Sequence, residues 1–239
     1  MKAADLWSVW RAPRRATGRR DDRPAVEPLW LEWLALGGVL VFATWLLGMR
    51  GVWGLLLSSD PTGLTLVIII VFAAATLWCG ARTRELQRQR LAMQSARAGG
   101  AKGWAAEGWA AEYWAALAAP APDTSTALDL LIEQAHGPHG TAWWVNGIQL
   151  KLGLLGKVIG FSILALDIGR IQGFDPAQAQ DLLRSLTTGL GVALLTTMVG
   201  LVGNILLGLQ LTRLDRFADA LVADIQRAGL ARAGSAPGA

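Results

Sequence analysis

Apolar and polar positions divide this chain into four long apolar runs separated by charged or turn-forming stretches. The runs are about Leu29–Met49, Thr62–Gly80, Trp143–Asp167 and Leu186–Gln210. Each is long enough to cross a hydrocarbon core as a helix. The pattern predicts an all-α, polytopic membrane protein with four transmembrane helices and a cytoplasmic helical insertion. Residues 1–28 read as a basic, disordered leader, 29–80 as a transmembrane hairpin turning over Arg50–Pro61, and 81–142 as the insertion. Residues 143–210 form a second pair of spans. Residues 211–239 form an amphipathic helix with a frayed end.

The fourth run, LTTGLGVALLTTMVGLVGNILLGLQ, carries no charge, yet its sides differ. On a helical wheel Gly189, Ala193, Thr196, Thr197, Gly200 and Asn204 crowd an arc of about 100°. Leu190, Leu194, Leu195, Met198, Leu201, Val202, Ile205 and Leu206 cover the rest. Lipid supplies no hydrophobic force between helices, so close contact comes from small residues and polar bonds. This arc therefore faces protein or a pore. A packing role also accounts for the threonines, because a membrane Thr commonly bonds back to its own carbonyls. Asp175 followed by Pro176 predicts a helix start well before Leu186.

The third run contains KLGLLGKVIGFSILAL. Gly153, Gly156 and Gly160 share one side, and Lys157 falls beside them near mid-span. A lysine there costs roughly 2.5 kcal/mol or more on insertion scales. Its position favours a partner-paired or functional role over snorkelling along the helix to an interface.

The insertion begins RTRELQRQRLAMQSAR, a helix extending out of the second span. GWAAEGWAAEYWAALAA follows, with Trp104, Trp109 and Trp114 five apart, so their rings spiral around a helix. Pro120, Pro122 and Asp123 interrupt it, and Thr126–Ala135 predicts another helix. Glu133, His136 and His139 read E-x-x-H-x-x-H, but Gly137 and Pro138 intervene. We therefore expect no metal site and no cofactor. In the tail, Leu211, Leu214, Phe217, Ala218 and Leu221 make one apolar side.

Composition adds three exclusions. The chain of 239 residues is 53% hydrophobic and 17% charged, in keeping with a membrane protein. Its net charge of +4 comes from basic residues flanking apolar runs, which argues against nucleic acid. Cys79, the single cysteine, excludes an internal disulfide and reads as packing. The leader lacks a small-residue cleavage site, so it is not expected to be a cleaved signal peptide. Its Leu6–Trp10 patch could rest on a membrane surface. Lys and Arg number seven in the leader, six in the insertion and four after Gln210, against one and two in the short loops. The positive-inside rule then puts both termini and the insertion in the cytoplasm.

GLLGKVIGFSILAL and TTGLGVALLTTMVGLVGNILLGLQL together resemble the paired signature of the MotA/TolQ/ExbB proton-channel family. The likeness covers about residues 145–225, and the preceding hairpin is similar to four-span, MotA-like members. The resemblance implies a homo-oligomer, a pentamer, set in the bacterial inner membrane. That ring surrounds a single-span MotB/TolR/ExbD-like partner whose intramembrane Asp takes protons. It matches Thr197 to the family's hydroxyl on the last span. Lys157 stands where the family motif usually has Thr, replacing a neutral hydrogen-bonding group with a cation. The implied function is an inner-membrane subunit coupling proton motive force to work, not an enzyme. No nucleophile–base pair, P-loop or metal cluster is legible. Lys157, Thr196, Thr197 and Asn204 are the expected ion-pathway or partner-facing residues. Gly153, Gly156, Gly160, Gly189, Ala193 and Gly200 are the expected packing residues. A non-conducting scaffold held by a Lys–Asp pair is the first alternative. A small permease subunit is the second, although the first two spans offer almost no polar residues.

Overall fold

The computed structural model describes residues 29–60, 62–98, 108–120, 122–169 and 176–235. The leader with its Leu6–Trp10 patch, Trp104 and Asp175 lie outside them. The described residues form helices α1 (Leu29–Met49), α2 (Val52–Ser59), α3 (Leu64–Ala98), α4 (Trp109–Leu117), α5 (Thr124–Gly169) and α6 (Pro176–Ser235), with no strand among them. Among the described residues, four helices are long and apolar enough to cross a membrane: Leu29–Met49, the Leu64–Ala98 helix, the Thr124–Gly169 helix and Leu183–Arg232. The protein is an all-helical, multi-pass membrane protein.

α1 is apolar around its whole circumference and buries only Leu29, as a lipid-facing helix does. The expected turn over Arg50–Pro61 contains a short helix, α2. Asp60 then starts α3: its Oδ2 accepts the Thr65 N–H at 2.6 Å and its Oδ1 the Thr62 N–H at 3.0 Å. These bonds satisfy donors that a helix start leaves unpaired. Burial pushes the Asp60 carboxyl up, but these bonds together with those from the Thr62 and Thr65 side chains hold it below its usual range.

α3, α5 and α6 are longer than a bilayer needs. The 46 residues of α5 reach about 70 Å and the 60 of α6 about 90 Å, against a core of about 30 Å. Their apolar portions pack together and their amphipathic portions continue as a bundle beyond the membrane. Bundle formation follows from the second half of α3, where Arg82, Arg84, Arg88, Arg90 and Arg97 forbid hydrocarbon. Leu86, Met93, Trp114, Leu131, Leu214, Phe217, Leu221 and Ile225 form its core. Trp114 is the anchor of α4: its indole N–H donates to Ile225 O at 2.9 Å, and the Arg232 guanidinium stacks 4.0 Å from its ring centre.

α5 is one helix where the sequence predicts two. The predicted Thr126–Ala135 helix and the third span join through Gly137 and Pro138. A proline inside a helix withholds the N–H that would bond four residues back, here to Gln134 O. Arg82 of α3 takes up that carbonyl, donating to Gln134 O at 2.6 Å and to Ala135 O at 2.9 Å. A neighbouring helix thus supplies the bond the proline removes.

Candidate functional site

α5 and α6 run antiparallel and meet along small residues. Gly160 lies against Gly189 and Ala193, Gly156 against Thr196, and Gly153 against Thr197 and Gly200. The approach is backbone to backbone. A Cβ on Gly160 would sit 2.6 Å from Gly189 O and 2.8 Å from Ala193 N. One on Gly200 would sit 2.8 Å from Gln149 O. On Gly156 it would run into the Thr196 side chain.

Thr196 is fully buried, with its hydroxyl donating to Val192 O at 2.7 Å. It fills the notch left by Gly156 and presents nothing outward. Thr197 is half-buried at the edge of the seam. Its hydroxyl proton goes to Ala193 O at 2.7 Å, and Gly153 O across the seam is a second acceptor at 3.2 Å. The Asn204 amide donates to Asn146 O at 2.9 Å, so it clamps α6 to α5.

Lys157 is exposed. The seam takes Gly153, Gly156 and Gly160 and leaves the lysine on the adjoining side, its Nζ 6.0 Å from the centre of the Phe161 ring. No carboxylate among the described residues pairs with it. Asp167 and Ser185 bond to one another nearer the span ends.

Sequence reasoning passed over three buried amides below the seam. Gln149 is fully buried against Gly203, Asn146 sits beside Gly208, and Gln210 donates to Thr76 Oγ1 of α3 at 3.3 Å. Asn146 and Gln149 are one helical turn apart, which is a legible signal in an otherwise apolar run. Lys151 was also passed over; it is exposed. The seam itself, from Gly153 to Asn204, holds hydrogen-bonding groups but nothing that titrates.

At the foot of the spans the two histidines come together, ring centres 5.6 Å apart. Glu133 does not join them; α6 supplies the acids instead. Asp215 Oδ1 lies 2.6 Å from His139 Nδ1, and Asp219 lies 3.2 Å from His136 Nε2. His136, His139 and Asp215 have ligand atoms close enough to hold one metal ion. The surrounding bonds oppose that use. Arg82 Nε donates to His139 Nε2 at 3.4 Å, and Trp143 Nε1 donates to Asp215 Oδ2 at 2.9 Å. A guanidinium at that distance repels a cation, and the near groups already occupy one another.

No family model matches the chain, and no curated protein or solved structure does either.

Proposed function

We propose that this chain is the multi-pass subunit of a proton-driven energiser of the MotA/TolQ/ExbB kind, in the inner membrane with both termini in the cytoplasm. In this reading several copies, five by the family resemblance, ring the single-span helices of a MotB/TolR/ExbD-like partner. The observation that carries it is the α5–α6 pair. Two helices far longer than a bilayer pack through glycines, with a threonine hydroxyl at the edge and a lysine exposed on the adjoining side. Such a pair is a rigid wall with polar groups confined to one flank. The partner's carboxylate carries the proton, because the seam has no titratable group of its own. Thr197 offers that carboxyl, or water beside it, a hydroxyl that can swing between two backbone acceptors. Lys157 faces the carboxylate and sets how readily it takes the proton.

Co-reconstitution in liposomes with the single-span partner tests this reading. A proton flux that needs both chains, and is lost when the partner's Asp becomes Asn, is the expected result. Thr197→Val keeps shape and removes the hydroxyl, so assembly should persist while flux falls. Unchanged flux in a normally assembled variant would leave Thr197 as packing alone. The exposed Lys157 favours a second reading, a non-conducting scaffold fixed to its partner by a Lys–Asp pair. An intact complex with only background flux would select it.

A further inference from the structure

The cluster at the foot of the spans joins three helices through one imidazole. His139 is 2% exposed. Arg82 of α3 donates to its Nε2, which must then carry a lone pair. Its Nδ1 therefore holds the proton and donates to Asp215 of α6. The two contacts assign a single tautomer, neutral with Nδ1–H. Trp143 Nε1 fixes the far oxygen of Asp215, and the edge of Trp78 meets the imidazole from α3 with ring centres 6.2 Å apart. Pro138, by leaving Gln134 O without a helical donor, supplies the acceptor that holds Arg82 in reach.

We propose that Arg82, His139 and Asp215 form an acid-sensitive latch that couples α3 to the α5–α6 pair while His139 is neutral and loosens α3 when His139 takes a proton. The proton, drawn from solvent, lands on Nε2, the atom facing Arg82. Two donors then oppose each other, and two positive charges stand in a buried place. The Nδ1–H bond to Asp215 survives and becomes an ion pair, so α5 and α6 stay joined. Acid thus loosens one seam of the bundle and tightens another.

Among the described residues, four helices bring charges around His139. From α3 come Arg82 and, one turn on, Glu85, which acts on Arg82. From α6 comes Asp215. From α5 itself comes His136, which pairs with Asp219 of α6. From α4, Glu112 accepts from Gln134. Burial is the largest influence and pushes His139 below its ordinary value; Arg82 and His136 push the same way, and Asp215 opposes them. The folded state therefore binds fewer protons than the unfolded chain just below about pH 6.5, the ordinary histidine value. Stability is full above that pH and falls as pH drops toward the folded-state value. This inference stands on the bundle and does not rest on the proton-channel reading.

The chain has only two histidines, which makes the experiment direct. Full-length protein in nanodiscs, labelled with 15N-histidine and carrying His136→Asn, reports His139 alone. We expect the neutral Nδ1–H tautomer at pH 7.5 and a titration midpoint below about 6.5. Hydrogen exchange over 79–86, corrected for intrinsic rates, should rise on acidification in the wild type and stay flat in His139→Asn. If His139→Asn does not fold, Arg82→Gln serves, because it removes the cation and should raise the midpoint. The latch is overturned by the Nε2–H tautomer, by a midpoint at or above the ordinary value, or by exchange indifferent to acid. It is also overturned if micromolar Zn2+ shifts the histidine signals of otherwise wild-type protein, since the cluster would then be a metal site.

Discussion

At the scale of single residues, the helical period marks which glycines matter only in part. Gly153, Gly160, Gly189 and Gly200 lie where another backbone passes and Gly156 where the Thr196 side chain sits, whereas Gly147 and Gly191 have open space around them in the same two helices. A Cβ at Gly160 would be forced on two backbone atoms that cannot move alone. We predict that Gly160→Ala costs about 1–3 kcal/mol, as overpacking does. Gly147→Ala should be neutral or stabilising by up to about 1 kcal/mol, from helix propensity. Thermal unfolding in one nanodisc composition compares them, and equal losses at the two sites would mean that the seam is not this tight. The wheel that separates these glycines in principle could not rank them, because it shows direction but not how near the facing helix comes. The same limit applies to Lys157. Its angle places it beside the glycines, and only the width of the facing helix shows that three glycines fill the contact and leave the lysine outside.

Among elements, the apolar runs were legible because hydrocarbon requires a minimum length and tolerates no free backbone. α1 begins and ends where the run does. The apolar side of the tail, from Leu211 to Leu221, is the bundle core. The short α2 was not legible, because eight residues between two turns are too few to show a helical period. Nor was the continuity of α5, because the rule that proline ends a helix assumes that nothing replaces the missing bond. Arg82 replaces it from 52 positions away in sequence. A testable consequence is non-additivity. Arg82→Gln in the wild type should cost about 1.5–3 kcal/mol, the usual worth of hydrogen bonds from a charged donor. In a Pro138→Ala background the helix supplies its own donor to Gln134 O, so the same change should cost less. A double-mutant cycle on unfolding midpoints, measured above pH 7 where His139 stays neutral, reads the coupling. Identical costs in both backgrounds would separate the proline from the arginine.

For the whole molecule, the four spans were written in the periodicity, but the proposed function depends on a carboxylate that a partner would supply. Among the described residues, the carboxylates beside the spans are engaged elsewhere or stand near an end: Asp167 bonds with Ser185, Asp60 caps α3, and Glu32 is exposed in the first turn of α1. Lys157 therefore has no counter-charge among the described residues, and either a partner supplies one or the lysine reaches water along its own stem. The proposed assembly supplies the first answer through the partner's Asp. A lone charge in hydrocarbon is worse than a pair, and removing both members costs less than removing either. We predict that Lys157→Met weakens retention of the partner, and that Lys157→Thr retains part of it, since a hydroxyl can still bond the carboxyl. Combining Lys157→Met with the partner's Asp→Asn should recover binding relative to the sum of the single losses. A coupling of about 1 kcal/mol or more in that cycle, read as partner retained in nanodiscs across a dilution series, is the expected result. Strictly additive losses would remove the pairing, and with it the reason for Lys157 to face a partner. The lysine would then be a snorkelling cation whose stem lies along Phe161, and the proposed proton path would keep only Thr197 beside the partner's carboxylate.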